Sequence, residues 1–567
     1  MNRVVAWRST HARAATGFAS QPEPRTIGTF ARGRQLIAGN FLFSGFLIEG
    51  PGVKIWDLPM PDPSFEETIH GFGWLDDLAA VGDSAARVRA QEWVFDWIAR
   101  FGRGRGPGWV PDLTGRRLIR WINHALFLLS GQERAAADSY FLSLGQQTNF
   151  LAKRWQAASP GLARFEALTG LIYAGLSLTG TERHVNGAVA ALARECEEQI
   201  DAEGGIPTRN PEELLEVFTL LTWAARALGE AGRMAPKPHM AAIERIAPTL
   251  RALRHADGGL ARFHGGGRGL EGRLDQALAS SGVRAVAHEG LAMGFARLSG
   301  GRTSVIVDAA APPQGAASFD AHASTLAFEL TSGRRPVIVS CGSGAPFGPE
   351  WRRAGRATPS HSTLAIEGFS SSRLGEQGLV SGHARELLAD RAEVVHLRHS
   401  MGLEGASLLV GHSGYSTTHG LTHMRGLVLS QDGRSLTGED TLGALTEDER
   451  RRYDVVTAAT RGVNFAIRFH LHPDVDAAID LGGSAVSLAL KSGEIWVFRQ
   501  GGGAKLTLDP SVYLEKGRLK PRATKQIVLS GAVIDYASQI RWTLSKAQDT
   551  PLAIRDLDRD DGLTDQV

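Results

Sequence analysis

Hydrophobic residues change their spacing along this chain near residue 260. Before that point apolar side chains recur every three or four positions, which is typical of amphipathic helices. Beyond it, short runs rich in Val, Thr, Leu and Phe alternate with polar residues, which is typical of half-buried antiparallel strands. A helical half followed by a strand half predicts a multidomain α+β protein with its two layers in series.

The helical half divides into a series of amphipathic segments. Asp83 and Asn210 stand where helix N-caps are expected, and Pro211 suits the first position of a helix. Helical hairpins in series predict an incomplete α/α toroid. The predicted helices cover residues 74–82, 84–103, 114–129, 133–157, 161–178, 183–202, 210–230 and 236–253.

The strand half starts near Leu291 and contains roughly fourteen short predicted strands, enough for a two-sheet antiparallel sandwich. Turn signals at 431–434 and 491–493 place hairpins between strands. The sequence therefore predicts four regions: an irregular N-terminal segment over 1–70, the toroid over 71–270, the antiparallel β-sandwich over 271–548 and an acidic tail over 549–567.

Charge and composition exclude several classes of partner. Lys and Arg number 62 against 60 for Asp and Glu, so nothing favours a nucleic acid partner. The apolar run Phe41–Ile48 is broken by Ser44 and Gly45 and is too short to cross a bilayer, so no integral membrane segment is predicted. No secretory signal is visible, which predicts the cytoplasm. Phosphate-binding glycine loops, serine nucleophile elbows and zinc-protease helix motifs are also absent from the sequence.

Three polar segments of the helical half are candidate binding sites. Arg209 and Asn210 precede a helix that carries Glu213 in its first turn, and a helix N-terminus binds anions; a plain N-cap is the alternative. Arg262 and His264 lie in a glycine-rich stretch, which reads equally well as a solvated loop. The third segment contains Trp109 and Arg116. Aromatic and Arg side chains together suit the binding of a sugar, and they suit a packed corner of the fold equally well.

Histidine usage is the main chemical signal of the strand half. His322 and His361 each open a predicted strand, and His470 and His472 share one face of another. Two histidines could hold a metal, but without a third ligand at fixed spacing a structural role is equally consistent. Cys196 and Cys341 lie in different halves, so no disulfide framework is predicted.

Two stretches of the strand half resemble the C-terminal half of the heparinase II/III family of polysaccharide lyases. They are HASTLAFELTSGRRPVIVSCG and RATPSHSTLAIEG, set against the family pattern His-x-Asp-x-x-Ser-Phe, an acidic turn, and His-Asn-Thr-Leu-x-x-Asp-Gly. The segments GLARFEALTGLIYAGL and EGGIPTRNPEELLEVF resemble two helical motifs of the same family, so the resemblance covers about residues 70 to 545. The positions that fit the strand pattern are His322, Phe328, His361, Thr363, Leu364 and Gly368.

The resemblance implies an incomplete α/α toroid followed by a β-sandwich, and β-elimination at an acidic, uronate-containing polysaccharide. It implies no required cofactor, although some members hold a structural divalent metal with two His and an Asp. It also implies the periplasm or cell envelope as an alternative location. Several family residues are replaced here: the Gly-Asn-His motif reads Gly161-Leu162-Ala163, the tyrosine motif reads 210–214, and the Asp after the first histidine is Ser324.

These replacements leave three functions open. A carbon–oxygen lyase would use Arg209 and Asn210 to bind the carboxylate and His322 as proton acceptor, with His264 or Glu213 as its partner. A glycoside hydrolase would use a carboxylate pair that includes Glu213. A non-catalytic glycan-binding or cell-envelope protein would keep the fold alone. Residues expected to contact the sugar are Trp109, Arg116, Arg262 and Arg425, the metal ligands would be His322 and His361, and a homodimer is left open.

Overall fold

The computed structural model describes residues 1–11, 15–21, 23–286, 288, 290–380 and 383–547. The predicted acidic tail, 549–567, lies outside the described residues.

The N-terminal segment is more regular than its sequence predicts. Its three helices were not predicted, because each has only eight or nine residues and is too short to give a clear helical period. A two-stranded hairpin follows the second of these helices, and its tip at Gly45 touches the backbone of Pro346 in the strand half. The elements are α1 (Asn2–Ser9), α2 (Phe30–Ala38), β1 (Asn40–Phe43), β2 (Phe46–Glu49) and α3 (Pro63–His70).

Up to residue 252 the helices of the second region follow the predicted order closely, except that the predicted helix 114–129 is divided in two at His124; the helix Arg273–Ser281 was not predicted. Asp83 caps α5 by accepting a hydrogen bond from the amide of Ala86, and Asn210 caps α11, as predicted. Pro211 occupies the first turn of α11. The helices are α4 (Gly73–Val81), α5 (Ser84–Phe101), α6 (Pro111–Asn123), α7 (Ala125–Leu129), α8 (Arg134–Arg154), α9 (Leu162–Ser177), α10 (Val185–Gln199), α11 (Pro211–Glu230), α12 (Lys237–Ala252) and α13 (Arg273–Ser281).

Antiparallel strands make up the rest of the described chain. They are β3 (Phe295–Gly300), β4 (Thr303–Asp308), β5 (Phe328–Ser332), β6 (Arg335–Val339), β7 (Leu364–Ile366), β8 (Arg373–Val380), β9 (His383–Asp390), β10 (Val394–Gly402), β11 (Gly405–Tyr415), β12 (Leu421–Ser430), β13 (Ser435–Gly443), β14 (Val463–Leu471), β15 (Val475–Asp480), β16 (Ala485–Leu490), β17 (Ile495–Gln500), β18 (Lys505–Tyr513), β19 (Arg522–Val533) and β20 (Ala537–Lys546). Short helices interrupt them at α14 (Pro349–Arg356), α15 (Ser416–His419) and α16 (Glu447–Thr457).

Two large sheets form the sandwich. One has the order β10-β11-β12-β13-β20-β17-β16-β15, and the other has β18-β19-β14-β6-β5-β4-β3, with β7 also paired to β14. The hairpins predicted at 431–434 and 491–493 join β12 to β13 and β16 to β17. A separate core fills each half, and the two halves meet along β3, β4 and the loop before β5. No described helix is long and apolar enough to span a membrane.

Candidate functional site at the junction of the two domains

Two helices of the helical domain, α6 and α9, are in very close contact. A Cβ on Gly115 of α6 would lie 2.3 Å from the carbonyl oxygen of Glu166, and one on Gly170 of α9 would lie 2.5 Å from the Cα of Gly115. Only glycine allows this approach. It brings Arg116 beside Glu166, with 2.5 Å between Nε and Oε1. Burial raises the pKa of Glu166 to about 7, against the opposing effect of Arg116.

The N-terminus of α11 supplies the next group of side chains. Asn210 accepts hydrogen bonds from the amides of Glu212 and Glu213, so its carboxamide oxygen serves as the helix cap. The Thr208 hydroxyl donates to Oε2 of Glu213 at 3.0 Å. Burial, with smaller effects of Asp320 and Glu166, raises the pKa of Glu213 to about 7.

Arg209 links the two domains instead of facing solvent. Its Nε and Nη2 donate to the carbonyls of Met293 and Gly294, and Nη2 also contacts Asp308 Oδ1 at 2.6 Å. Nη1 donates to the carbonyls of Ala310 and Ala311. All five N–H groups of the guanidinium therefore have protein acceptors. None is left for a substrate carboxylate, the role that the sequence predicted.

Asp308 is the centre of this link, which we call the clasp (Arg209, Asp308, His264 and Ser324). The Ser324 hydroxyl donates to Asp308 Oδ2 at 2.7 Å, and His264 Nε2 lies 3.5 Å from the same oxygen. Burial alone would raise the pKa of Asp308, but Arg209, His264 and Ser324 together hold it below its ordinary value. The aspartate of the clasp is therefore a buried, fully engaged anion.

The histidines predicted to take part in catalysis are also buried. His264 and His322 are 1% and 3% exposed, and the amide of His322 donates to His264 Nδ1 at 3.2 Å. Burial, reinforced by the neighbouring His361 and His264, lowers the pKa of His322 well below its ordinary value. A proton acceptor must reach its substrate, so His322 cannot fill that role in this conformation.

The backbone around the clasp is unusual. Non-glycine residues with positive φ cluster here: Arg209 at 49°, His264 at 48°, Met293 at 52° and Leu326 at 67°. Residues in this left-handed region cost free energy and persist only where the surroundings fix them. The segment from His322 to Leu326 is therefore a loop held by hydrogen bonds, and the strand predicted to start at His322 begins only at Phe328.

Two histidines of the predicted metal site lie close together but lack a carboxylate. The rings of His322 and His361 are 5.1 Å apart between centroids, and within the described residues His322 Nδ1 and both His361 ring nitrogens have no hydrogen-bond partner. The third ligand of the family pattern is Ser324 here, and its hydroxyl is engaged by Asp308. Within the described ranges no group of three His, Cys, Asp or Glu residues could hold a metal ion. This donor set does not fit a divalent metal.

The burial of Arg425 and Trp109 contradicts the prediction that they contact a sugar. Arg425 is 0% exposed; it pairs with Asp440 and donates to the carbonyls of Leu326 and Ser362, so it fixes the loops that carry His322 and His361. Trp109 is 2% exposed, and its indole N–H donates to the carbonyl of Phe101. Neither side chain is available to a sugar.

Arg262 is largely enclosed, whereas Arg116 reaches solvent. The Arg262 guanidinium pairs with Glu329 at 3.2 Å and lies 4.5 Å above the ring of Tyr513. The Arg116 side chain is 33% exposed. Of the four side chains predicted to bind substrate, Arg116 is thus the best placed to contact a ligand.

Five partly exposed polar residues lie in the two domains beside the clasp, and we call the surface they form the groove (Arg116, Thr208, Glu213, Asp320 and Arg352). Asp320 lies on the sandwich side, where Arg352 Nη2 donates to its Oδ1 at 2.5 Å. Its charge contributes to the raised pKa of Glu213, on the helical side. The groove therefore includes a carboxyl group from each domain.

Sequence reasoning missed Asp308, Glu166 and Asp320. Asp308 ends the strand TSVIVD, where an acidic residue after an apolar run is a usable signal. Glu166 interrupts the apolar face of α9, which is a second such signal. Asp320 stands in a polar loop, and nothing in its surroundings distinguishes it.

Comparison with known proteins gives consistent matches to this architecture. Residues 283–543 match the family model described as "Heparinase II/III-like, C-terminal". The curated "FtsZ-localized protein C" of Caulobacter vibrioides is 31% identical over 547 residues, covering 94% of this chain and 91% of that protein.

Solved structures extend the likeness over both domains. A crystal structure of heparinase III matches with a TM-score of 0.65 at 13% identity, covering 96% of this chain and 89% of that one. A heparan sulfate lyase from Pedobacter heparinus matches with a TM-score of 0.59 at 16% identity, covering 97% and 88%. At this identity the likeness concerns the fold, a helical region followed by antiparallel sheets.

Proposed function

The chain belongs to the heparinase II/III-like family, and from that premise we propose that it binds a polysaccharide chain in the groove between its two domains. The fold places a partly exposed polar surface where the helical domain faces the sandwich, and Arg116 and Arg352 supply hydrogen-bond donors there. Sugar hydroxyls are well matched by such a mixture of donors and carboxyl acceptors.

The observation that carries the proposal is the burial and bonding of the residues that the sequence predicts to be catalytic. Arg209 has all five N–H groups engaged, and His322 is 3% exposed. These residues now hold the domains together, so histidine-driven β-elimination of a uronate has no machinery in the described residues. The chain keeps the shape of a polysaccharide-binding protein and uses a different set of exposed groups.

The name of the curated relative supports a proposal about where this protein is located in the cell. Its printed name places that protein with FtsZ, and we propose the same location, the division site, for this chain. A fluorescent fusion of the full chain should coincide with labelled FtsZ in dividing cells. A uniform signal throughout the cell would contradict the location and leave the glycan proposal standing.

Binding is tested with a panel of glycans and a matched pair of variants. Wild-type protein should bind at least one of cello-oligosaccharides, N-acetylglucosamine oligomers or heparan sulfate by calorimetry. Arg116→Met should weaken that binding about tenfold or more, because it removes a partly exposed charged hydrogen-bond donor, and a tenfold change in affinity corresponds to about 1.4 kcal/mol. Arg541→Met, which changes an exposed arginine on the outer face of β20, should leave it unchanged. No binding to any glycan would end the proposal.

The lyase alternative is tested in the same incubations. β-Elimination of a uronate creates a conjugated double bond that absorbs in the ultraviolet. We expect no rise in absorbance with heparan sulfate, since the groups that would drive the reaction are sealed. A steady, enzyme-dependent rise would show that the family reaction persists by another route.

A further inference from the structure

Of the strands that end the two large sheets of the sandwich, β10 is the least protected. An edge strand exposes a row of backbone N–H and C=O groups, and proteins usually shield it with charged side chains, proline or a covering element. Here β15 carries Asp476 and Asp480, and β18 carries Pro510. β3 lies against the helical domain, where Arg297 donates to the carbonyl of Ala252. β10 is nine residues long, contains no proline, lysine or acidic residue, and pairs only with β11 in the described part of the chain.

The side chains of β10 expose apolar surface on the face of the sheet that is buried elsewhere. Leu397 is paired with Val410 of β11, and Met401 with Ala406; both β11 residues are buried in the sandwich core. Because the side chains of directly paired residues lie on the same face, Leu397 and Met401 also point to the inner face. They are nevertheless 42% and 70% exposed, and Leu403 in the adjoining turn is 97% exposed. The inner face of the sheet is therefore uncovered at its last strand.

The turn after β10 fixes which backbone groups point away from the sheet. Only two residues separate Gly402 from Gly405, so these two glycines form the hydrogen-bonded pair that closes the hairpin. In an antiparallel ladder such residues alternate with residues whose N–H and C=O groups point to the opposite side. The outward groups therefore belong to Leu397, His399 and Met401, and they have no hydrogen-bond partner within the described residues. The exposed apolar side chains and the free backbone groups lie on the same residues.

The order of the residues makes this edge complementary to itself. When two copies of β10 run antiparallel about a two-fold axis at His399, Leu397 comes opposite Met401 of the partner subunit. The same axis puts the outward-pointing backbone groups of the two strands opposite each other. An axis at Ser400 would instead put Met401 opposite His399 and lose the apolar match.

The polar residues of the other face agree with the same register. Arg398 comes opposite Ser400 of the partner subunit, and His396 lies diagonally beside Glu404 of the partner subunit. An axis at Arg398 would set two guanidinium groups directly against each other, which is destabilising. Charge and apolar pattern therefore both select the axis at His399.

We propose that the chain forms a homodimer in which two β10 strands pair antiparallel about His399 and join two large sheets into one. Main-chain hydrogen bonds would provide the pairing, and the apolar strip of Val395, Leu397, Met401 and Leu403 would provide the buried surface. Such an interface is isologous, so the assembly closes at two copies. The inference is independent of the proposed glycan binding, because it uses no residue of the groove.

Sedimentation equilibrium of the full chain measures this association. The wild type should be dimeric at micromolar concentration. Leu397→Lys should raise the dissociation constant about a hundredfold or more, because it sets an ammonium group against Met401 and the symmetry introduces the change twice. Ile479→Lys, which changes a 50% exposed residue of β15 at the opposite edge of the same sheet, should leave the dissociation constant unchanged.

A backbone variant tests the hydrogen bonds without adding charge. His399→Pro removes the amide at the axis, so both of the central hydrogen bonds between the copies are lost. That amide points away from β11, and proline is tolerated at such positions of an edge strand. We expect a weaker dimer with an unchanged far-ultraviolet circular dichroism spectrum.

Cysteine cross-linking tests the register. Arg398→Cys combined with Ser400→Cys in one chain should form disulfides between two copies, because opposed residues outside the hydrogen-bonded pairs have Cα atoms about 4.5 Å apart. Each single variant should form none. The native Cys196 and Cys341 are buried and should not contribute.

Several results would overturn the proposal. A wild type that remains monomeric at micromolar concentration would exclude the dimer, including a monomer that binds another protein through β10. A dimer that survives both Leu397→Lys and His399→Pro would use another surface. Cross-linking by Arg398→Cys alone or by Ser400→Cys alone would show an axis other than His399.

Discussion

Glu213 is held in an environment that disfavours its ionised form. Its carboxyl is partly exposed, has no ion-pair partner in the described residues, and has a pKa raised to about 7, chiefly by burial. An acid with a raised pKa in the folded state is destabilising once the pH exceeds its unfolded value near 4.5, and the effect is complete above about 7. Below about pH 4 both states are protonated and the effect vanishes.

Glu213→Gln should therefore stabilise the protein at pH 8 by on the order of 1–3 kcal/mol, and should change little at pH 4. Urea denaturation at the two pH values measures the difference. The control Glu216→Gln should lower stability at pH 8, because it leaves the 10% exposed Arg273 without its carboxylate partner. A variant at 213 that is less stable at pH 8 than the wild type would contradict the assigned burial effect.

Single residues were also where sequence reasoning reached its limit. The sequence singled out Arg209, Asn210 and His322 as polar groups of the candidate site. The sequence did not reveal their roles, because Arg209 donates to Asp308, which lies far along the chain and in the other domain. A buried arginine and a substrate-binding arginine have the same sequence signature until their partners are known.

At the scale of elements, the helices between residues 73 and 252 were predictable, whereas the start of one strand was not. Periodic apolar residues with Asp83 and Asn210 as caps placed most helix ends within a few residues. The run HASTLAFEL looked like a continuous strand, but its first half is a loop. Leu326 takes a positive φ there, and Arg425 and Asp308 bind the loop's backbone and side chains. Long-range contacts of this kind override local β propensity.

The crossing of α6 and α9 gives a prediction at this scale. Gly170→Ala would place a methyl group 2.5 Å from the Cα of Gly115, so the helices must separate and the Arg116–Glu166 pair is disturbed. We expect a loss of about 1–3 kcal/mol in unfolding free energy. Gly187→Ala in α10, where a Cβ meets nothing within 4 Å, should instead gain about 0.5 kcal/mol. Thermal denaturation of both variants distinguishes a loss of helix packing at Gly170 from a general effect of replacing a glycine in a helix.

Across the whole molecule, the clasp is one of several polar links that join two domains with separate cores. Arg209 lies in the loop before α11 and forms an ion pair with Asp308, at the end of β4 in the sandwich. The order of the domains followed from the change of hydrophobic period near residue 260. Their manner of joining did not, because it depends on a few buried polar contacts between distant segments, and polar residues carry no periodic signal.

Removing one partner of the clasp should weaken the interaction between the two domains. Asp308→Asn leaves the 11% exposed Arg209 without its counter-charge, and breaking a buried pair from one side typically costs about 3–5 kcal/mol. We expect that loss in urea denaturation, with the single transition replaced by two as the helical domain and the sandwich unfold separately. Glu439→Gln, which breaks an exposed pair with Arg541 within one sheet, should cost less than about 1 kcal/mol and keep one transition. A small, single-step effect of Asp308→Asn would mean that apolar contacts along β3 and β4 hold the domains together without the clasp.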